Sequence, residues 1–294
     1  MLNVRNVSKY FGNKKVLEDL SFDVNQGEIY GIIGQNGAGK STLFRSMMNY
    51  FTDYSGDILY NGDSIKNLDL KYVSYLPEER SLVDVFTIGE QIKFFAQLND
   101  YNATNEEIEK YLEDFKVKGK ITDKIKTLSK GNMQKVQIIC ALIYKPKLVI
   151  LDEPFSGLDP YSIKIMQEQL LKFKSNDSII LFSSHDMTNV EKISDKIMMI
   201  KDGKKVLSGT AREIKNMYPR NVVDIETEKD LYYMTQFDYV TAVENKDGIW
   251  KIHLIDEKYG KELFEAVVKT IGYVPIFAQN QIELSEIFAM EVSR

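Results

Sequence analysis

Cysteine is nearly absent from this chain. The 294 residues contain one, Cys140, which excludes an internal disulfide framework and suits a reducing compartment. Histidine is almost as scarce, and no other histidine or cysteine stands near His253 to share a metal ion. No uncharged apolar run approaches the ~20 residues that cross a bilayer. Work at a membrane would therefore need a separate chain to span it. There is no basic excess either: the net charge is −5, which argues against a dedicated nucleic-acid binder. The opening residues, Leu2 to Val7, alternate like a strand and carry no signal-peptide pattern. Heptads and a second glycine loop are missing as well.

What the chain does have is concentrated in Gly34-Gln35-Asn36-Gly37-Ala38-Gly39-Lys40-Ser41-Thr42. The apolar run Ile29-Tyr30-Gly31-Ile32-Ile33 precedes it, and Leu43, Phe44, Met47 and Met48 follow at helical spacing. That context is strand, glycine loop, helix. The glycines let the backbone curl until several N–H groups point inward, where a Cβ would crowd a bound anion. The helix beginning beside Lys40 adds its positive dipole end. Lys40 then reaches the β- and γ-phosphates of a nucleotide, and the Ser41 hydroxyl ligates Mg²⁺.

Around this loop the chain reads as α/β. Residues 2–26 form short alternating strands, Leu2 to Val7 and Leu20 to Val24, about the polar turn Gly12-Asn13-Lys14-Lys15. Phe11, beside that turn, suits a half-buried strand aromatic as well as a ligand platform. Asn61-Gly62, Asp202-Gly203 and Asp247-Gly248 are hairpin signals. Val73 to Leu76 is a short strand, ended by Pro77 and the charged loop Glu78-Glu79-Arg80. Over 87–127, Ile88, Ile92, Phe95 and Ala96, then Ile108, Tyr111, Leu112 and Phe115, recur at helical spacing among many charges. This predicts a helical insert on the main sheet. Leu128-Ser129-Lys130-Gly131-Asn132 opens a further helix, with Ser129 as N-cap and Cys140 on its core face rather than as a nucleophile.

Leu148-Val149-Ile150-Leu151 and Ile179-Ile180-Leu181-Phe182 are continuous apolar strands of the kind buried on both faces of a parallel sheet. Asp152 and Glu153 end the first, and Ser183-Ser184-His185 ends the second. Ligands of open α/β sheets bind at the carboxyl ends of strands. Asp152 would face the Mg²⁺ held by Ser41, Glu153 would stand where a water attacks the γ-phosphate in line, and His185 could donate to that phosphate. From residue 219 the order becomes βαββαβ-like, which predicts a small α+β, ferredoxin-like domain over 219–294, with Trp250 and His253 as packing residues.

Taken together, residues 1–218 closely resemble the ATP-binding cassette of ABC transporters. The motifs come in family order: the Walker A loop at 34–42, the signature-like Leu128 to Asn132, the Walker B run ending in Asp152-Glu153, Ser156-Gly157-Leu158-Asp159 as D-loop, and His185 as switch histidine. The resemblance implies a P-loop NTPase fold with a mixed-sheet core, an antiparallel β-subdomain and a helical subdomain at 87–127. It implies ATP and Mg²⁺ as cofactors and hydrolysis of ATP to ADP and phosphate. By resemblance, Phe11 stacks on adenine, Ser129 and Gly131 grip the γ-phosphate bound to the opposite subunit, and Asp159 lies near that interface. The cassette would act as a head-to-tail homodimer or a heterodimer with a related chain. It would sit on the cytoplasmic face of a separate membrane permease, met through the helical insert and the Glu78 loop.

Two positions depart from the family pattern. Glu78 replaces a glutamine that touches Mg²⁺ and the attacking water. Lys130 and Asn132 replace a glycine and a glutamine of the signature. These variants, with a small C-terminal domain ending Leu284-Ser285-Glu286-Ile287-Phe288, resemble the ATPase subunits of bacterial exporters whose membrane subunits are separate chains. A soluble ABC ATPase acting on ribosomes or DNA is the competing expectation.

Overall fold

The computed structural model describes residues 1–79, 81–175 and 177–294; Arg80, the last residue of the charged loop after Pro77, lies outside them. The chain divides into two compact units, Met1–Thr210 and Ala211–Arg294, earlier than the expected 218/219 boundary.

In the first unit, β1 (Leu2–Phe11) and β2 (Lys14–Val24) run further than their alternation suggested, because pairing continues to Phe11↔Lys14 at the turn. Next come β3 (Ile29–Ile33), α1 (Lys40–Met47), β4 (Tyr54–Tyr60) and β5 (Asp63–Ser64). One antiparallel sheet has the order β2-β1-β4-β5. Then follow β6 (Val73–Leu76), α2 (Ile88–Leu98), α3 (Asn105–Asp114), α4 (Lys130–Leu142), β7 (Leu148–Leu151), α5 (Pro160–Lys174), β8 (Ile179–Ser184), α6 (Met187–Ile193), β9 (Lys196–Lys201) and β10 (Lys204–Gly209). The expected helical insert is α2 and α3. A Thr87–Glu90 capping box begins α2, and the Thr104 side chain caps α3.

The central sheet has the order β10-β9-β3-β8-β7-β6, parallel except for the antiparallel edge strand β10. Every residue of β3, β7 and β8 is buried. Their apolar runs lack alternation because both faces of the sheet are covered. The adjacency β3-β8-β7-β6 sets four strand ends side by side. Those ends lead into the glycine loop, His185, Asp152-Glu153 and Glu78 respectively. Four stretches far apart in sequence thus meet on one edge.

In the second unit, α7 (Ala211–Lys215) is followed by β11 (Val222–Glu226), β12 (Val240–Lys246), β13 (Ile249–Leu254), α8 (Gly260–Thr270), β14 (Ile276–Asn280) and α9 (Leu284–Ser293). The antiparallel sheet runs β12-β13-β11-β14, which places β13 between β11 and β12 as a split βαβ arrangement requires. The expected helix at 229–236 is instead a 3₁₀ segment, Tyr232–Gln236. Two tyrosines and a threonine there are weak helix formers, and so short a segment does not repay helix nucleation. Val223, Ile225, Ile252, Leu263 and Val267 build the core. Trp250 is buried among them, with its indole N–H on the Thr227 carbonyl at 3.1 Å, while His253 is half-buried with Glu244 nearby.

All three hairpin signals close hairpins. Asn61/Gly62, Asp202/Gly203 and Asp247/Gly248 each place two successive residues at positive φ, as a type I′ turn demands.

Candidate functional site

A cleft of about 480 Å³ opens at the four strand ends. Phe11, Asn36, Gly37, Gly39, Lys40, Ser41, Thr42, Glu78, Asp152 and Glu153 all line it, together with Lys14 and Val16. The sequence reading named ten of those twelve. Gly34 and Ala38 shape the loop without lining the cleft.

Of the three loop glycines, Gly34 and Gly39 are demanded by the protein's own packing, whereas a Cβ on Gly37, which lines the cleft, would meet no protein atom within 4 Å. A Cβ on Gly34 would stand 2.4 Å from the Ile200 carbonyl, and one on Gly39 would stand 2.9 Å from that of Val16. Both clashes are with the protein's own backbone rather than with a ligand. Gly39 also has φ 113°, in the left-handed region that favours glycine. Gly203 in the β9–β10 turn donates its N–H to the Ala38 carbonyl at 3.1 Å, so that distant hairpin clamps the loop. Lys40, the first residue of α1, is 7% exposed and folds back to donate to the carbonyls of Gly34 (2.7 Å) and Gln35 (3.1 Å).

The acidic side is built on β7 and β8. Ser183 Oγ donates to Asp152 Oδ1 at 2.6 Å and accepts the Glu153 N–H at 2.9 Å. Sequence reasoning passed over Ser183; its signal is a serine ending a buried apolar strand beside a histidine. Glu153 holds φ at 50°, a left-handed conformation that costs a non-glycine residue about 1–3 kcal/mol. Its bond to Ser183 helps hold that backbone. Oε2 of Glu153 meets His185 Nδ1 at 2.9 Å, and Oε1 lies 4.0 Å from Lys40 Nζ. Burial pushes the Glu153 pKa up, against the nearby positive charge of His185 and then Lys40, which pull it down. Glu153 Oε1 is buried with no hydrogen-bond partner among the described residues, so it is free to accept from a water.

His185, expected to donate to a phosphate, meets Glu153 through Nδ1 and does not itself line the cleft. An ionised carboxylate only accepts, so when Glu153 is ionised Nδ1 carries the hydrogen they share. Neutral His185 then offers only an acceptor at Nε2, and it donates twice only as imidazolium.

Ser129, Gly131 and Asp159 are not brought to the cleft. Ser129 caps α4, its Oγ accepting from the Asn132 N–H (3.3 Å) and side-chain amide (3.1 Å). Asn132 Oδ1 in turn accepts from the Lys118 N–H at 3.0 Å. The departure at 132 thus fixes the Ser129 hydroxyl and leaves its own hydrogen free to donate. Asp159 caps α5, with Oδ1 on the Ser162 N–H (2.9 Å) and Oδ2 on its hydroxyl (2.7 Å). Those two bonds lower its pKa. Cys140 is buried, and burial pushes its thiol pKa far up, which suits a core residue.

The donor set fits a Mg²⁺ ion carried on a triphosphate rather than a cage built from protein alone. No group of three or more His, Cys, Asp or Glu side chains is poised for a metal among the described residues. Ser41 and Asp152 nevertheless line one cleft, and Mg²⁺ on a nucleotide takes only one or two protein oxygens.

Comparison with known proteins points the same way. Residues 17–156 match the family described as ABC transporter, and residues 209–292 match the C-terminal domain of DrrA1-3-like ATP-binding proteins. The ABC transporter ATP-binding protein YhaQ of Bacillus subtilis (strain 168) is 33% identical over 99% of this chain and 98% of its own length. The linearmycin resistance ATP-binding protein LnrL of the same organism is 31% identical over 73% of this chain and 70% of its own. Among solved structures, an ATP-binding subunit of an ABC transporter superposes with a TM-score of 0.66 at 31% identity, covering 74% of this chain and 92% of that one.

Proposed function

Because this chain belongs to the ABC transporter family, as an ATP-binding subunit and ATPase, we propose that it powers export through a separate membrane-spanning subunit. No described helix is long and apolar enough to cross a membrane. The subunit would hold this chain at the cytoplasmic face, and two cassettes would close head to tail around ATP. The C-terminal match to a DrrA1-3-like domain and a relative named for linearmycin resistance support the outward direction.

In this reading Phe11 carries the adenine, and the N–H groups of the 34–42 loop and Lys40 bind the phosphates. Ser41 and Asp152, joined by Glu78 on closure, hold Mg²⁺, which supplies positive charge to the phosphate oxygens. Glu153 Oε1 takes the proton of the attacking water, while His185 orients the carboxylate through Oε2. Ser129 and Gly131 of the opposite subunit complete the site, with Asp159 beside that contact. The observation that carries the chemistry is Glu153: 7% exposed at the cleft wall, held at one oxygen and free at the other.

Glu153→Gln should keep ATP binding, lose hydrolysis by ~10²–10⁴-fold, the weight of a general base, and accumulate as an ATP-bound dimer in gel filtration. Normal turnover in that variant would remove Glu153 from the role. Wild-type protein should pellet with membranes only when a membrane-spanning partner subunit is co-expressed. Cells holding both should retain less of an exported compound than cells holding the Glu153→Gln pair. Equal retention, or pelleting without the partner, would sink the exporter reading.

A further inference from the structure

Lys9 is among the most completely buried side chains of the cassette, and the chemistry above does not use it. Only 2% of its side chain is exposed. Its Nζ lies 2.6 Å from Asp53 Oδ1 and 3.4 Å from the Asp53 carbonyl. The same ammonium sits over two rings, 4.5 Å from the centroid of Phe11 and 5.4 Å from that of Phe51. The two rings meet edge to face with centroids 5.1 Å apart.

An ion pair with Asp53 does not explain this burial, since Asp53 is 76% exposed and would bind an exposed lysine as well. Taking an ammonium out of water is costly, and an apolar side chain would fill the space without that cost. What the site supplies instead is a cation against an aromatic ring that lines the cleft. Phe11 is 43% exposed there.

We propose that Lys9 is a positioning residue for the base of the bound nucleotide, acting through Phe11. A cation over one face of a ring draws π-density toward itself. The opposite face becomes less negative, and an electron-rich purine stacks on it with less repulsion. The edge-to-face contact with Phe51 fixes the tilt of the ring before the base arrives, so less ordering remains at binding. The ligand class selected is a purine nucleotide, and Lys9 acts on its base rather than on its phosphates. This inference rests on Phe11 being the base platform.

The test is equilibrium binding to the full chain of two probes, ATP and inorganic tripolyphosphate, which carries the phosphates without the base. Four proteins are compared: wild type, Lys9→Met, Phe11→Ala and the double variant. Methionine fills the lysine volume and removes a buried charge, so Lys9→Met should fold with unchanged or higher stability. Phe11→Ala should weaken ATP binding by about 5- to 100-fold, the range for losing one base–aromatic stack. Lys9→Met should weaken it by about three- to tenfold while leaving tripolyphosphate affinity unchanged. The double variant should bind ATP no worse than Phe11→Ala alone.

If Phe11→Ala weakens ATP binding but Lys9→Met does not, the inference falls and the platform stands. Equal losses for ATP and tripolyphosphate in Lys9→Met, or additive losses in the double variant, also overturn it. If Phe11→Ala leaves ATP affinity unchanged, the platform fails and the inference goes with it.

Discussion

At the scale of single residues, the cleft depends on how one carboxylate is held. Glu153 works as a base only when ionised, and burial raises its pKa above the ordinary glutamate value. As pH falls it therefore takes up its proton earlier than an exposed glutamate would, and ATPase activity should decline on the acid side sooner. The His185 charge pulls that pKa down. In His185→Gln the residual activity should lose its acid limb at higher pH still, as a rate profile over about pH 5–9 would record. An acid limb that stays put or moves down would contradict the coupling. Ser183 gives a second expectation. Ser183→Ala leaves the Glu153 N–H and one Asp152 oxygen without their partner in a buried place, a loss of about 1–3 kcal/mol. The urea midpoint should fall and turnover should fall with it; a variant matching wild type in both would show the bridge to be idle.

Among the helices, α4 carries a glycine that its own surroundings do not require. Gly131 is the second residue of the helix, where glycine costs up to about 1 kcal/mol relative to alanine, the figure for a helix interior. A Cβ there would meet only Leu158 Cδ2, at an ordinary 3.5 Å, so nothing near it in the same unit requires a glycine. Gly131→Ala should therefore raise the melting temperature of the subunit and still lower its ATPase rate, if, as proposed, its close approach is to the other subunit's nucleotide. Raised stability with full activity would remove Gly131 from the site. The glycine loop and the paired acids were legible in sequence because strand, loop and helix are local patterns, and β3, β7 and β8 are uninterrupted apolar runs. Phe11 and Glu78 were legible only through family likeness, since nothing local says that a strand end and a turn face one cleft. Lys9 follows Val7 by two along β1, in a row of inward positions, but an alternating strand reads its charges as solvated. Ser183 was hidden because its partners lie about 30 residues away in sequence and meet it only through β7–β8 pairing. The 3₁₀ segment at Tyr232–Gln236 replaced a helix where aromatic residues overrode a weak periodicity.

For the whole molecule, one cassette keeps its signature residues away from its own cleft. Its cleft gathers the loop, the acids and Phe11, yet Ser129 stands elsewhere, at the start of α4, with its hydroxyl hydrogen held ready. In the proposed reading, a second cassette docked head to tail would supply that hydroxyl to the first and receive one in return, so each nucleotide would be shared by two chains. Mixing two damaged chains separates this arrangement from a self-sufficient cassette. Lys40→Ala removes the phosphate lysine from its own cleft, and Ser129→Arg blocks the surface offered to its partner's. In a mixed dimer both lesions fall on one site and the other site is intact. That dimer should keep about half the wild-type rate if the sites fire independently, and a random equal mixture about a quarter, since half its dimers are mixed. Each variant alone should be nearly inactive. A self-sufficient cassette would leave Ser129→Arg active by itself and gain nothing from mixing. Strict coupling between sites would also yield no recovery, but a tethered mixed dimer would then still hold one ATP at its intact site while failing to turn it over. The activity of Ser129→Arg alone therefore decides between a site shared in trans and one that each chain completes alone, and the nucleotide count shows whether the shared sites are coupled.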